Sequence, residues 1–227
     1  MRVLFDYGIA YISKPRCGST SLRSTLDSLD SKEQVSSSFA GDNLPFHPHI
    51  TAPALQCLLK NRQYTSSNLS YFTVTRNPLD MLWSYYKFFR PDSESKYWFQ
   101  PSYDESSRME FMRWLNEGKL GMSKFWKELA PEWISTENLS PLSLEAHVQN
   151  SFGTSVVEHV FYLEDLAPLQ DWLSALLSRR GLEESKKEIA NLQILNASAA
   201  KSRPHISAET LTCLRKSFPL EFEIYNI

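Results

Sequence analysis

A turn near the start of the chain is rich in the residue types that bind phosphate-like anions. The segment reads Ile12-Ser-Lys-Pro-Arg-Cys-Gly-Ser-Thr-Ser-Leu-Arg23. Lys14 and Arg16 supply positive charge, and Gly18 lets a ligand approach the backbone closely. Where a helix begins, the first backbone N–H groups lack partners within the helix, and together with the helix dipole they attract an anion. The pattern therefore predicts an anion-binding turn.

A strand and a helix are predicted to position this turn. Residues 8–12 form a short apolar run with β-branched and aromatic side chains, which is typical of a buried strand. After the turn, leucines recur at helical spacing, at Leu22, Leu26 and Leu29. Hydroxyl groups at the predicted start of the helix can donate to the same anion, and they belong to Ser19, Thr20 and Ser21.

Spacing separates the chemistries that use such a turn. A nucleoside-triphosphate P-loop has the pattern Gly-x4-Gly-Lys-Ser/Thr, whereas here the cations precede the glycine and no lysine follows it. A cysteine phosphatase uses a thiolate, five residues whose amides face the phosphate, and then an arginine. Cys17 and Arg23 have that spacing. The turn alone therefore leaves phosphatase chemistry open.

A second segment offers another pair of anion-binding side chains. Residues 69–75 are strand-like, and Arg76-Asn-Pro78 then opens a helix in which Asn77 is the predicted N-cap. Arg76 would stand at the carboxyl end of the strand, with Ser84 about two turns into the helix. A guanidinium can bind an anion through two hydrogen bonds, and a hydroxyl can add a third.

Together the two segments resemble the sulfotransferase family that uses 3′-phosphoadenosine 5′-phosphosulfate (PAPS). The family's first motif has a basic residue after a proline and two residues before a glycine, followed by hydroxyls, as in Pro15-Arg-Cys-Gly-Ser-Thr20. Its second motif has Arg-(Asn/Asp)-Pro and a serine eight residues after the arginine, which Arg76 and Ser84 match. The resemblance implies a three-layer α/β/α fold with a central, mainly parallel sheet, similar to P-loop nucleotide-binding proteins.

The resemblance also implies roles for these residues. Arg76 and Ser84 would hold the 3′-phosphate of PAPS, while the first turn would hold the 5′-phosphosulfate. Arg16 stands where many family members have lysine, and with support from Lys14 it would stabilise the charge on the leaving phosphate. The residues of the turn that are predicted to bind the donor are Lys14, Arg16, Cys17, Gly18, Ser19, Thr20 and Ser21, with the Cys17 thiol itself a bystander.

The end of the chain resembles the tails of carbohydrate-type sulfotransferases. It has the segment Asn196-Ala-Ser, then basic residues, a predicted helix from Ser207 and an acidic-aromatic ending. By this resemblance, Lys201 and Arg203 would close over the 3′-phosphate of the nucleotide.

Two histidines are candidates for the general base that an alcohol acceptor needs. His47 and His49 are two residues apart in an extended stretch, because the proline after His47 biases it towards extended geometry. They resemble the histidine pair of some carbohydrate sulfotransferases, and of the two we expect His49 to be the base. Thr51 is the predicted cap of the helix that follows.

The composition fits one α/β domain that spans residues 1–227. Of the 227 residues, 42% are apolar, which is enough for a substantial core. We expect strands near residues 9–13, 35–39, 71–75 and 157–163, with further helices at 105–118 and 123–130. In such sheets ligands gather at the carboxyl ends of the strands, where both anion-binding segments fall.

Charge and cysteine content limit the partners. The net charge of −2 gives no basic field for nucleic acid. Three cysteines without metal-ligand spacing predict a reducing compartment and no bound metal. Since no leader-like segment or apolar run of membrane-spanning length is seen, we expect a cytoplasmic enzyme without a membrane partner, acting on a carbohydrate or other small alcohol. Two alternatives stay open, a cysteine phosphatase that uses Cys17 and Arg23 and a nucleotide-binding protein without catalysis.

Overall fold

The computed structural model describes residues 1–29, 31–32, 34–36, 46–64, 68–89, 142–192 and 206–227. Its strands are β1 Arg2–Leu4, β2 Ile9–Ile12, β3 Gln34–Ser36, β4 Ser70–Thr75 and β5 His159–Tyr162. The helices described are α1 Ser19–Asp27, α2 Ala52–Asn61, α3 Pro78–Phe89, α4 Leu144–Val148, α5 Ala167–Arg179, α6 Lys186–Ala190, α7 Ala208–Ser217 and α8 Pro219–Ile224, with a 3-10 turn at Glu183–Ser185 before α6. The predicted helices at 105–118 and 123–130 lie outside the described residues.

The sheet has a parallel centre and an antiparallel side. Its strand order is β3-β1-β2-β4-β5, in which β2, β4 and β5 are parallel, while β1 runs antiparallel to both β2 and β3. The parallel part confirms the predicted α/β fold. Strand β1 was not predicted, because three residues, Arg2–Leu4, are too few to show an alternating pattern. The sheet is therefore mixed, and the parallel strands are the ones that lead to the predicted anion-binding segments.

Both faces of the sheet are covered. On one face Tyr11 stacks on Phe72 with ring centroids 5.1 Å apart, and both belong to a core cluster with leucines of α1 and α5. Side chains that alternate with these point to the other face, and Ala10, Ile12 and Thr73 there are also fully buried. This pattern agrees with the predicted three layers. The helical leucines Leu22 and Leu26, which revealed α1 in the sequence, are the residues that anchor it to the sheet.

The chain divides into two compact units. The first comprises residues 1–76 and 144–197 and contains the sheet, and the second comprises residues 77–143 and 198–227. In the second unit, the Asn77 side-chain oxygen accepts the backbone N–H of Leu79 at 3.1 Å, which confirms the predicted start of α3. Ser207 caps α7 in the same way. The single domain over residues 1–227 stays a prediction. No described helix is long and apolar enough to cross a membrane.

Candidate functional site

The predicted anion-binding turn connects β2 to α1 and contains two residues in the left-handed backbone region. Gly18 has φ 73° and Arg16 has φ 59°. A side chain on Gly18 would be obstructed, because a Cβ there would lie 2.5 Å from Leu163 Cδ1. Any other residue at position 18 would therefore be strained and would force the Leu163 side chain to shift. Arg16 carries a side chain, and a left-handed conformation costs a non-glycine residue about 1–2 kcal/mol.

The start of α1 presents backbone donors beside this turn. The carbonyl oxygen of Gly18 accepts the N–H of Leu22 at 3.1 Å, so the helical hydrogen bonds begin directly after the turn. The N–H groups of the first helical turn precede that bond and are the ones available to an anion. The predicted hydroxyl donors differ in exposure, since Ser19 and Ser21 are buried and Thr20 is exposed.

Lys14 lies in the protein interior. Its side chain has no exposed surface, and its Nζ atom lies 3.8 Å from Cys17 Sγ, which is buried as well. A lysine that followed the strand direction into solvent would be exposed. The structure therefore places the Lys14 ammonium against the turn itself.

The imidazole of His49 is held by the backbone that enters the turn. Its Nδ1 atom lies 2.7 Å from the carbonyl oxygen of Ser13, the residue after β2. A carbonyl oxygen can only accept a hydrogen bond, so Nδ1 must carry the proton. In neutral His49 the lone pair is consequently on Nε2, which is the form of imidazole that can take a proton from an alcohol.

His47 has the opposite arrangement. Its Nδ1 atom accepts the backbone N–H of His49 at 3.1 Å, so in the neutral ring the proton is on Nε2. The outward nitrogen of His47 is then a donor rather than a base. Between the two histidines that the sequence offered, the hydrogen bonds favour His49.

His49 is kept neutral by its surroundings. Burial lowers the pKa of His49 to about 3, and the hydrogen bond to Ser13 only partly opposes this effect. Positive charges lower the pKa further, and they come from the amino group of Met1, from His147 and from Arg23. The amino group of Met1 donates to the carbonyl oxygen of Pro48 at 2.6 Å.

His147 is a neighbour of His49 that the sequence did not reveal. It lies on α4, which packs against α2, the helix that follows His49. The side chain is 1% exposed. A single histidine in a five-residue helix, nearly one hundred residues from His49 in the chain, has no spacing signal that links the two residues.

The strands next to the turn end at the same edge of the sheet. In the parallel register Ile12 pairs with Thr73 and Thr75 pairs with Tyr162, and the Leu163 N–H donates to the Thr75 carbonyl oxygen at 2.9 Å. Arg76 follows directly and is half-buried. Ser84 is buried on α3 in the second unit. Lys201 and Arg203 lie outside the described residues.

Two features bear on the phosphatase alternative. The Cys17 thiol is fully buried, whereas a nucleophile must reach the phosphorus atom. Arg23 lies beside the sheet, where its charge acts on Tyr11 and His49. In the part of the chain that the structure describes, no group of three or more His, Cys, Asp or Glu side chains is placed to hold a metal ion.

Comparison with known proteins identifies the family. Residues 9–144 match the family model described as Sulfotransferase domain. No curated protein matches the chain. The matched region includes the turn between β2 and α1, the histidine pair and the Arg76 motif, and it covers more than half of the chain. The family match agrees with the turn around Gly18 and with the parallel strands that end beside it. The chain belongs to the sulfotransferase domain family and is a sulfotransferase enzyme.

Proposed function

We propose that this sulfotransferase moves a sulfuryl group from PAPS to the hydroxyl of a carbohydrate or another small alcohol, with His49 as the base. The hydrogen bond from His49 Nδ1 to the Ser13 carbonyl oxygen carries the proposal. It ties a histidine whose Nε2 atom carries the lone pair to the strand end from which the donor-binding turn starts. The family generally uses PAPS as its sulfuryl donor, which supports the choice of donor.

The turn fits the 5′-phosphosulfate group of PAPS. The left-handed backbone at Gly18 forms the turn, and the first N–H groups of α1 follow it. In this proposal Arg16, Gly18, Ser19 and Thr20 bind the phosphosulfate, and Lys14 supports them from the interior. Cys17 and Ser21 complete the turn through their backbone.

The second motif would distinguish PAPS from ATP. Arg76 follows β4, which is paired with β2, so both anion-binding segments leave neighbouring parallel strands. We assign Arg76 and Ser84 to the 3′-phosphate from their spacing in the family motif. Lys201 and Arg203 are assigned to the same phosphate from the resemblance of the tail.

The chemistry follows from these positions. Nε2 of His49 accepts the proton of the acceptor hydroxyl while the acceptor oxygen forms a bond to sulfur. The bond between sulfur and the oxygen that bridges it to the 5′-phosphate breaks, and adenosine 3′,5′-bisphosphate leaves with the electron pair. The guanidinium of Arg16 stabilises the negative charge that gathers on the bridging oxygen.

A transfer assay tests this function. The purified chain is incubated with PAPS and a panel of sugars, phenols and aliphatic alcohols, and both adenosine 3′,5′-bisphosphate and the sulfated product are quantified. We expect equal amounts of the two products with at least one acceptor. Tight binding of the bisphosphate without transfer to any acceptor would instead indicate a nucleotide-binding protein without catalysis. Hydrolysis of an aryl phosphate that is lost in Cys17→Ser would indicate a cysteine phosphatase.

A further inference from the structure

The contact between Lys14 and Cys17 spans the strained part of the donor-binding turn. Lys14 and Cys17 flank Pro15 and Arg16 in the sequence, and Lys14 Nζ lies 3.8 Å from Cys17 Sγ. Neither residue has exposed surface. The contact therefore forms a buried clasp, Lys14 to Cys17, across a turn in which Arg16 has φ 59°.

We propose that Cys17 is a positioning residue, and that its clasp with Lys14 holds Arg16 in the conformation used for sulfuryl transfer. This inference rests on the proposed function, because it assigns Arg16 a role at the phosphosulfate. It differs from the sequence-based expectation that the Cys17 thiol is a bystander.

The Cys17 side chain is buried near the sheet. The pKa of the Tyr11 hydroxyl is raised mainly by burial and, to a smaller extent, by the charge of Cys17. Cys17 therefore lies near this core residue of β2. On the other side of the turn, Gly18 is held against Leu163. In this proposal the Cys17 side chain acts on Arg16 through the backbone and through its contact with Lys14.

The contact between Lys14 and Cys17 can stabilise the strained backbone at Arg16. A left-handed backbone at a non-glycine residue persists only where its surroundings enforce it. Without the sulfur, Lys14 loses an acceptor for its ammonium group, and the turn can relax towards a right-handed conformation at Arg16. Because Arg16 acts on charge that develops during transfer, such a relaxation should lower kcat more than it raises the KM for PAPS.

Substitutions at position 17 distinguish a positioning role of the Cys17 sulfur from simple packing. Serine keeps a small hydrogen-bond acceptor, whereas alanine removes it. We expect Cys17→Ala to lower kcat about tenfold with a KM for PAPS that changes less than about threefold, since a hydrogen bond to a charged group is at stake. Cys17→Ser should retain kcat within about threefold of the wild type. Cys57→Ala, at an exposed cysteine of α2, is the matched control and should behave as the wild type.

A double-mutant cycle with Lys14 gives the decisive result. If the clasp acts as one unit, adding Cys17→Ala to Lys14→Met should lower kcat no further than Lys14→Met alone. Fully additive losses, or a Cys17→Ala enzyme with wild-type kcat, would overturn the clasp. In those cases the wild-type enzyme still transfers sulfate, and the proposed function stands. Absence of transfer by the wild type with every acceptor would overturn both proposals.

Discussion

The Nδ1 atom of His49 lies 2.7 Å from the carbonyl oxygen of Ser13. This single hydrogen bond settles the position of the proton on the ring, since the carbonyl can only accept. It also joins the histidine segment before α2 to the strand end that leads into the proposed donor-binding turn. The proposed base is therefore hydrogen-bonded to the backbone that leads into the proposed donor site.

Removal of the base should have a large effect on turnover. We expect His49→Ala to lower kcat by about 10²- to 10⁴-fold, the usual range for a general base, with little change in affinity for adenosine 3′,5′-bisphosphate. His47→Ala should lower kcat by less than about tenfold, because it removes an acceptor for the His49 backbone N–H and not the proposed base. Steady-state kinetics with saturating PAPS measures both. Equal losses for the two variants would contradict the assignment of His49.

Stability should depend on pH through the same residue. The folded protein keeps the pKa of His49 near 3, whereas an unfolded histidine titrates near 6.5. The neutral ring therefore contributes its full stability above pH 6.5, and this contribution is lost as the pH falls from 6.5 towards 3.

Urea unfolding of the wild type and of His49→Gln at several pH values measures this contribution. Between pH 7.5 and 5, the wild type should lose about 1–2 kcal/mol more of its free energy of unfolding than the variant does. Parallel pH dependences for the two proteins would show that His49 is not held in the neutral form.

The fit of Gly18 against Leu163 predicts an unequal effect of two glycine substitutions. Gly18 and Gly153 both have positive φ, 73° and 75°, so alanine should cost about 1–2 kcal/mol at either position. At Gly18 the added Cβ also meets Leu163 Cδ1, whereas nothing lies within 4 Å of one at Gly153. We expect Gly18→Ala to be less stable than Gly153→Ala by about 1–3 kcal/mol, as overpacking usually costs.

The two glycine variants should differ in nucleotide binding as well. Gly18→Ala should lose most of its affinity for adenosine 3′,5′-bisphosphate, while Gly153→Ala keeps it. Denaturant unfolding and calorimetry measure the two effects. Similar destabilisation by both variants, with binding retained in both, would rule out a close backbone approach of the donor at Gly18.

Arg16 allows the guanidinium and the backbone conformation to be separated. Both Arg16→Gly and Arg16→Ala should lose transfer, because neither has a cation at the leaving phosphate. Glycine adopts the left-handed conformation freely, whereas alanine still pays for it, so Arg16→Gly should be more stable than Arg16→Ala by about 1 kcal/mol. Thermal unfolding and the transfer assay give the two readings. Full activity in Arg16→Gly would refute the electrostatic role.

The sequence revealed the elements that have a strong local pattern. The leucine spacing after Ser19 predicted α1, the apolar run before Ser13 predicted β2, and Asn77 with Pro78 predicted the start of α3, all of which the structure confirms. Strand β1 was missed because its pairing with β2 and β3 depends on contacts along the sheet rather than on its own three residues.

The sequence suggested the residue types of the candidate site but not the hydrogen bonds that the structure shows among them. The turn around Gly18 and the histidine pair could be recognised from spacing. The Ser13 carbonyl oxygen is a backbone atom 36 residues from His49, so no pattern of side chains in the sequence predicts the hydrogen bond between them. His147 approaches His49 through the packing of α4 on α2, which is a tertiary contact. Thr51 occupies the predicted N-cap of α2 in extended backbone, although its side chain makes no capping hydrogen bond.

We propose that the turn between β2 and α1 and the Arg76 motif hold PAPS. The most direct test is a thermal-unfolding comparison of the wild type with adenosine 3′,5′-bisphosphate, ATP and inorganic phosphate at equal concentrations. A ligand that binds only the folded state raises the unfolding temperature, and at equal concentration the rise grows with the logarithm of its affinity. We expect a clear rise with the bisphosphate and a much smaller one with ATP or phosphate. Stabilisation by ATP or phosphate, without stabilisation by the bisphosphate, would contradict this proposal.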